Sequence, residues 1–453
     1  MEIFGTLVHQ YSVDQRLVLL VCPYLLIRIN MKNFQFAFCM LFLGTSTALV
    51  GQANYDEKHV PHYDLPAVLQ NDNGTPVESS EDWINSRRPE LHEKFINYVY
   101  GYFPSEILDI RFSVQSNDED ALNGVARKKE VQVYFIHEGD TAAMSLLIYL
   151  PANAEEPVPL FLGMNFYGNH TIHSDKTIEI TPHYVNNNND LHIFNNKATS
   201  RSRGLRASRW PVETILQRGY GLATIYYGDL DPDFDDGFEN GIHALLGSTR
   251  RSHDMALSAI SAWAVGLSAA VDYFESDEAI DHEKIALIGH SRLGKAALWA
   301  GASDERFALV ISNDSGCGGA ALSRRKFGET VKHINERFPH WFCKRFHNYN
   351  DREAELPVDQ HMLLALMAPR PVYVASAEED RWADPKGEYL SLVHAGPAYK
   401  LFGEITVDQE TLPEVNQRRW SGKMGYHIRS GGHDLTAYDW EQYLAFADKH
   451  FLR

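Results

Sequence analysis

Cysteine is scarce in this chain and poorly placed for metal or redox chemistry. Four copies occur, at Cys22, Cys39, Cys317 and Cys343, and no two are spaced as C-x-x-C. A structural zinc site or a dithiol redox centre needs that spacing, so neither is expected. Positive charge is also in deficit: 42 Lys and Arg stand against 60 Asp and Glu, a formal net charge of −18. No nucleic-acid partner is expected, because its phosphates would be repelled. No repeat and no Pro/Gly-rich linker divides the chain.

What is present points to a large soluble α/β protein. Hydrophobic residues make up 44% of 453, enough for a substantial core in one large domain or two small ones. Aromatics are plentiful and serve either a sugar-stacking surface or an aromatic-rich interior. From Met31 the chain reads "MKNFQFAFCMLFLGTSTALVGQA". Lys32 gives a positive start, Phe34 to Leu43 an apolar stretch too short to span a bilayer, and small residues near Gly51 and Ala53 a cleavage site. This predicts a signal peptide over 31–53, a mis-start segment over 1–30, and a single domain over 54–453. The alternative is an anchor built from "LVLLVCPYLLI" together with that apolar stretch. A signal peptide implies a secreted or periplasmic protein with no membrane span in the mature chain, expected to be a monomer. Only Cys317 and Cys343 then remain, either as one disulfide or as two separate buried thiols.

Along the chain, Ser79 or Ser80 is positioned to cap a helix that Pro104 ends. "ILDIRFSVQ", "KKEVQVYFIH" and "AMSLLIYLP" read as strands. From about residue 157, apolar strands alternate with helices, which predicts a mainly parallel, doubly covered sheet with an N-terminal antiparallel extension.

In such a sheet, reacting groups gather at the carboxyl ends of strands. The stretch "KIALIGHSRLGKAALWAG" places Ser291 between a strand and a helix, with Gly289 before it and Gly294 after it. That is a nucleophile elbow, although the second glycine arrives one residue later than in G-x-S-x-G. Ser is also a favoured helix cap, which is the plain alternative. A serine hydroxyl needs a base, and the base needs an orienting carboxylate. His433, after "GYHIRS" and the Gly431–Gly432 turn, occupies the loop where this topology puts its base; His427 and His361 compete. Asp380 and Asp314 both follow strands and both qualify as the acid, with Glu378 and Glu379 less favoured. The backbone N–H of Arg292 is an oxyanion donor by position. Its side chain is a second candidate, since no HGGG-type stretch lies upstream.

"GHSRLGKAALWAG", "ISNDSGCGG", "FGETV", "FPHWFC", "EEDRWADP" and "GGHDLTAYDW" together resemble the bacterial glucuronoyl esterases of carbohydrate esterase family 15, from about residue 80 to the end. The resemblance implies an α/β-hydrolase fold and a metal-free serine esterase. Such an enzyme cleaves the ester between 4-O-methyl-glucuronic acid of glucuronoxylan and lignin alcohols. It implies Ser291 as nucleophile, His433 as base, Arg292 as oxyanion stabiliser, and Lys295, Glu329 and Trp382 as contacts to the uronate hydroxyls. The position of Asp314 is commonly Glu in that family, which favours Asp380 as the acid. Lys295, one helical turn beyond Ser291, can face the same mouth. The rival readings are an acetyl-xylan or other carbohydrate esterase, and a non-catalytic glycan-binding protein on a hydrolase scaffold.

Overall fold

The computed structural model describes residues 53–247 and 257–452. The segments assigned to a mis-start and a signal peptide lie outside these residues, Ala53 excepted. Among the described residues no helix is long and apolar enough to cross a membrane.

Ten strands occur among them: β1 (Asp109–Asp120), β2 (Ala126–His137), β3 (Asp140–Pro151), β4 (Val158–Asn165), β5 (Gly221–Tyr226), β6 (Ile280–His290), β7 (Phe307–Asn313), β8 (Val372–Ala377), β9 (Gln417–Ser421) and β10 (Met424–Arg429). They form one sheet in the order β1-β2-β3-β5-β4-β6-β7-β8-β10-β9. β1, β2 and β3 are antiparallel and join the rest through an antiparallel β3–β5 pair. From β5 to β10 every pairing is parallel. β5, β8 and β10 are buried at every residue, β4 and β7 at all but one, and β6 from Ile285 to His290. Continuous apolar runs are what a sheet covered on both faces requires. β1 instead alternates between half-buried and exposed residues over much of its length.

Two apolar clusters fill the two faces. The larger packs α1 (Ala259–Phe274), with Trp263 at its centre, and α2 (Arg292–Ser303). The smaller packs α4 (Ala437–Phe451), through Trp440, Tyr443 and Phe446, on Phe161, Ile288 and Tyr373. This is an α/β-hydrolase fold with the antiparallel extension read from the sequence.

The helical segment after Ser79 begins as expected, with a capping box between Ser79 and Asp82. It ends at Gly101, at φ 74°, three residues before Pro104, because only glycine adopts that conformation freely. Several elements were not anticipated, among them a strand and a helix near the end of the chain. β9, "QRRWS", is a polar edge strand with no apolar alternation to betray it. α3 (Pro385–Lys400) carries Pro397 inside it, which breaks the helical pattern.

The first turn of α1 is tied to the N-terminal helical segment through one hydroxyl. Ser258 Oγ accepts from Ser261 N at 3.0 Å and donates to the Tyr100 carbonyl. Ser258→Ala should lower stability by about 1–2 kcal/mol by stranding a buried donor and a buried acceptor. Denaturant titration of the variant beside the parent checks this.

Candidate active site

β6 delivers Ser291 at φ 58°, ψ −130°, a conformation that non-glycine residues avoid. The turn is closed by backbone bonds: Ser291 N donates to Asn313 O, and Gly294 N donates to Ser291 O, both at 2.9 Å. The late second glycine now has a physical reason. A Cβ on Gly289 would stand 2.0 Å from the Leu293 carbonyl oxygen, and one on Gly294 would stand 2.9 Å from Ser315 Cβ. The turn is as tight as in G-x-S-x-G, but its second close approach falls one residue later.

Ser291 Oγ lies 2.8 Å from Nε2 of His433, and Nδ1 of His433 lies 2.6 Å from Oδ2 of Asp380. The loops that carry the last two residues are joined by backbone bonds, Glu378 N to Arg429 O and Glu379 N to Gly431 O. The Glu378 and Glu379 side chains face solvent. The His433 side chain is 44% exposed, so the site opens on the surface. Beneath it His290 packs with ring centroids 4.6 Å apart and bonds Asn313 Oδ1 at 2.6 Å. Burial, then the neighbouring His433 and Arg209 charges, push His290 far below the usual imidazole range, so it stays neutral.

Asp314, the other candidate acid, is buried beside this pair. Its Oδ2 meets Arg429 Nη2 at 3.2 Å, and its Oδ1 has no partner. Burial and the nearby Glu388 push its carboxyl well above the usual range, against the pull of Arg429. Asp314, Asp380 and His433 each offer a ligand atom within 4.8 Å of the others. The 2.6 Å bond already engages His433 with Asp380, and although Asp314 Oδ1 is unpartnered, the Arg429 cation on its Oδ2 opposes a second cation there. The donor set therefore fits a hydrogen-bonded relay better than a cation site.

Arg292 starts α2 and turns its guanidinium onto Asp233, inside a box of Phe166, Phe338 and Trp341. Lys295 is buried, with Nζ on the Ser315 carbonyl and beside the Trp341 ring. Burial lowers its pKa, and the Glu329 charge opposes that. Glu329 is half-buried and tied to Trp382 by a backbone bond of 2.9 Å. Gly328 lets the two segments cross, since a Cβ there would meet the Arg381 and Trp382 carbonyls at 2.5 Å. The Trp382 ring lies against His333. Lys295 and Glu329 are thus close enough to feel each other's charge, and Trp382 is held to Glu329.

The competing histidines are structural. His427 is buried between Asp439 and Tyr373, and His361 is buried on the Pro66 carbonyl with its pKa pushed down to about 4 by burial. The Cys317–Cys343 disulfide is corrected: both thiols are free and buried. Cys317 sits near Lys295 and Glu329, whereas Cys343 Sγ faces the Asn97 carbonyl. The Phe342 ring packs against Gly318, beside Cys317. Sequence reasoning missed Asp233, His340, Tyr227, Arg429 and Glu388. "FPHWFC" flagged the segment carrying His340 and Trp341 but not its contacts.

A family model described as glucuronyl esterase of fungi matches residues 250–403. The chain is 52% identical over 399 residues to carbohydrate esterase MZ0003 of an unknown prokaryotic organism, covering 88% of this chain and 92% of that protein. Among solved structures, a promiscuous CE15 esterase from a marine bacterial metagenome matches at 51% identity and TM-score 0.82, over 88% of this chain and all of that one. A glucuronoyl esterase from Solibacter usitatus matches at 45% identity and TM-score 0.81, over 87% of this chain and all of that one.

Glu388 supplies a pH test. It accepts from Ser376 Oγ at 2.6 Å and Gly316 N at 2.9 Å, and burial pushes it from 4.5 up to about 8. A raised carboxyl contributes stability that is full below the unfolded value and lost as pH climbs through the folded one. Stability should therefore fall between pH 4.5 and about 8. Glu388→Gln should flatten that fall in a series of thermal melts.

Proposed function

The chain belongs to carbohydrate esterase family 15, the glucuronoyl esterases, and is a carboxylic ester hydrolase; from that premise we propose that it cleaves the ester joining 4-O-methyl-glucuronic acid of glucuronoxylan to lignin alcohols. The observation that carries the reading is the line from Ser291 through His433 to Asp380, with contacts of 2.8 and 2.6 Å. Ser291 Oγ attacks the ester carbonyl while His433 Nε2 takes its proton. Asp380 holds the imidazole in the tautomer that accepts at Nε2 and offsets the charge it gains. The Arg292 backbone N–H and guanidinium meet the developing oxyanion. His433 then protonates the departing alcohol, and water, deprotonated by the same base, releases the uronic acid.

The acyl portion is assigned to Lys295, Glu329 and Trp382. A cation and a carboxylate suit vicinal hydroxyls, and an indole face suits a pyranose ring. The exposed position of His433 favours a substrate whose bulk stays outside, as a polymer's does. Asp314 is assigned a supporting role, since its oxygen faces Arg429. The mature enzyme on this reading is residues 54–453, exported by the segment at 31–53.

Purified protein should hydrolyse a benzyl glucuronate ester and leave acetylated xylan untouched; the reverse selectivity would indicate an acetyl esterase, and binding without turnover a lectin-like role. Ser291→Ala should abolish turnover. Asp380→Asn should lower kcat by about 10⁴-fold, the scale seen when a triad acid loses its charge. Asp314→Asn should cost far less, and unimpaired turnover in Asp380→Asn would reassign the acid.

A further inference from the structure

The guanidinium next to the nucleophile is gripped by a carboxylate for which the reaction above has no use. Asp233 lies in the loop after β5, and its side chain is 1% exposed. Its Oδ1 accepts from Trp341 Nε1 at 2.6 Å and from His340 Nε2 at 3.1 Å. Its Oδ2 accepts from the Tyr227 hydroxyl at 2.9 Å and is closely paired with Arg292 Nη1. The neighbours are themselves fixed, since the N-terminus of α1 donates to the carbonyls of His340 and Trp341. Burial pushes the Asp233 carboxyl up, yet the bonds from His340 and Trp341 and the Arg292 charge hold it below its usual value.

On the other side of the pair, the Arg292 carbon lies 4.7 Å from the Trp341 ring centroid, 5.4 Å from Phe338 and 5.7 Å from Phe166. Nε of Arg292 is buried without a partner. An arginine boxed by rings and held at one nitrogen cannot follow a moving target. Such a donor stabilises developing charge without reorganising, and that is where electrostatic catalysis draws its strength. A half-buried guanidinium left without a counter-charge is costly to hold in place. Asp233 supplies that counter-charge.

We propose that Asp233 is a positioning residue of the ester hydrolysis, acting through Arg292 to keep the guanidinium aligned beside Ser291. This rests on the oxyanion role given to Arg292 above.

The test is a double-mutant cycle on a benzyl glucuronate ester with Asp233→Asn, Arg292→Ala and the pair. Arg292→Ala should lower kcat by about 10²-fold or more, the scale of a lost oxyanion donor. Asp233→Asn should lower kcat by about tenfold or more with KM within about twofold, as for an interaction made in the transition state. In the Arg292→Ala background it should add less than about twofold, because coupled residues are non-additive. An equal loss in both backgrounds, or a rise in KM alone, overturns the proposal. If Arg292→Ala leaves kcat intact, the role of Arg292 falls and takes the proposal with it, while the Ser291→Ala result still stands for the esterase itself. If Asp233→Asn does not fold, Tyr227→Phe removes one donor to the same carboxylate and keeps the ring. A drop in kcat that disappears in the Arg292→Ala background supports positioning, and one that persists there overturns it.

Discussion

The site depends on one backbone conformation that its residue resists. Ser291 sits at φ 58°, ψ −130°, and nothing in its side chain rewards that geometry. Two parallel strands impose it: β6 runs into the turn while the Asn313 carbonyl at the end of β7 takes the Ser291 N–H. α2 closes over the turn so tightly that Gly289 and Gly294 have no room for a methyl group. The sheet's hydrophobic burial supplies the strain, and the hydroxyl rises into solvent as a result. Remove the packing of β6, β7 and α2 and Ser291 would relax into an ordinary helix cap.

Several carboxylates converge beneath this hydroxyl, and their different surroundings keep their roles apart. Asp380 bonds the exposed imidazole. Asp314 faces Arg429 and is pushed by burial toward its protonated form. Glu388, deeper still, takes bonds from Ser376 and Gly316. Like charges crowded in a low dielectric resist ionising together, and burial pushes both Asp314 and Glu388 up. On the far side of the serine the order is reversed: Asp233 is buried yet held ionised, because Arg292 and three hydrogen-bond donors surround it.

Much of this was legible in the sequence, and the remainder was not for definable reasons. A βα turn with flanking glycines is a local feature, so Ser291 could be read directly. His433 and Asp380 lie in loops after neighbouring strands, which the alternating βα pattern locates. The sequence kept both Asp380 and Asp314 in play while leaning to Asp380. The contact of His433 with Asp380, and the pairing of Asp314 with Arg429 from β10, are visible only once the strands are placed. Asp233 stands in "GDLDPDFDD" among near-identical neighbours, and only its contacts to Trp341, His340 and Tyr227 single it out. The cysteines left a disulfide and two buried thiols both open, because an even count says nothing about distance, and the second reading holds. β9 and α3 escaped because a polar edge strand and a proline-bearing helix lack the periodicity that burial imposes.

The ladder between β8 and β10 continues past both strands, through Glu378 to Arg429 and Glu379 to Gly431. Asp380 and His433, the proposed acid and base, therefore ride on a shared rail whose gauge is the interstrand spacing of a sheet. On that proposal their mutual alignment, a contact of 2.6 Å, is set when the polypeptide folds rather than when an ester arrives.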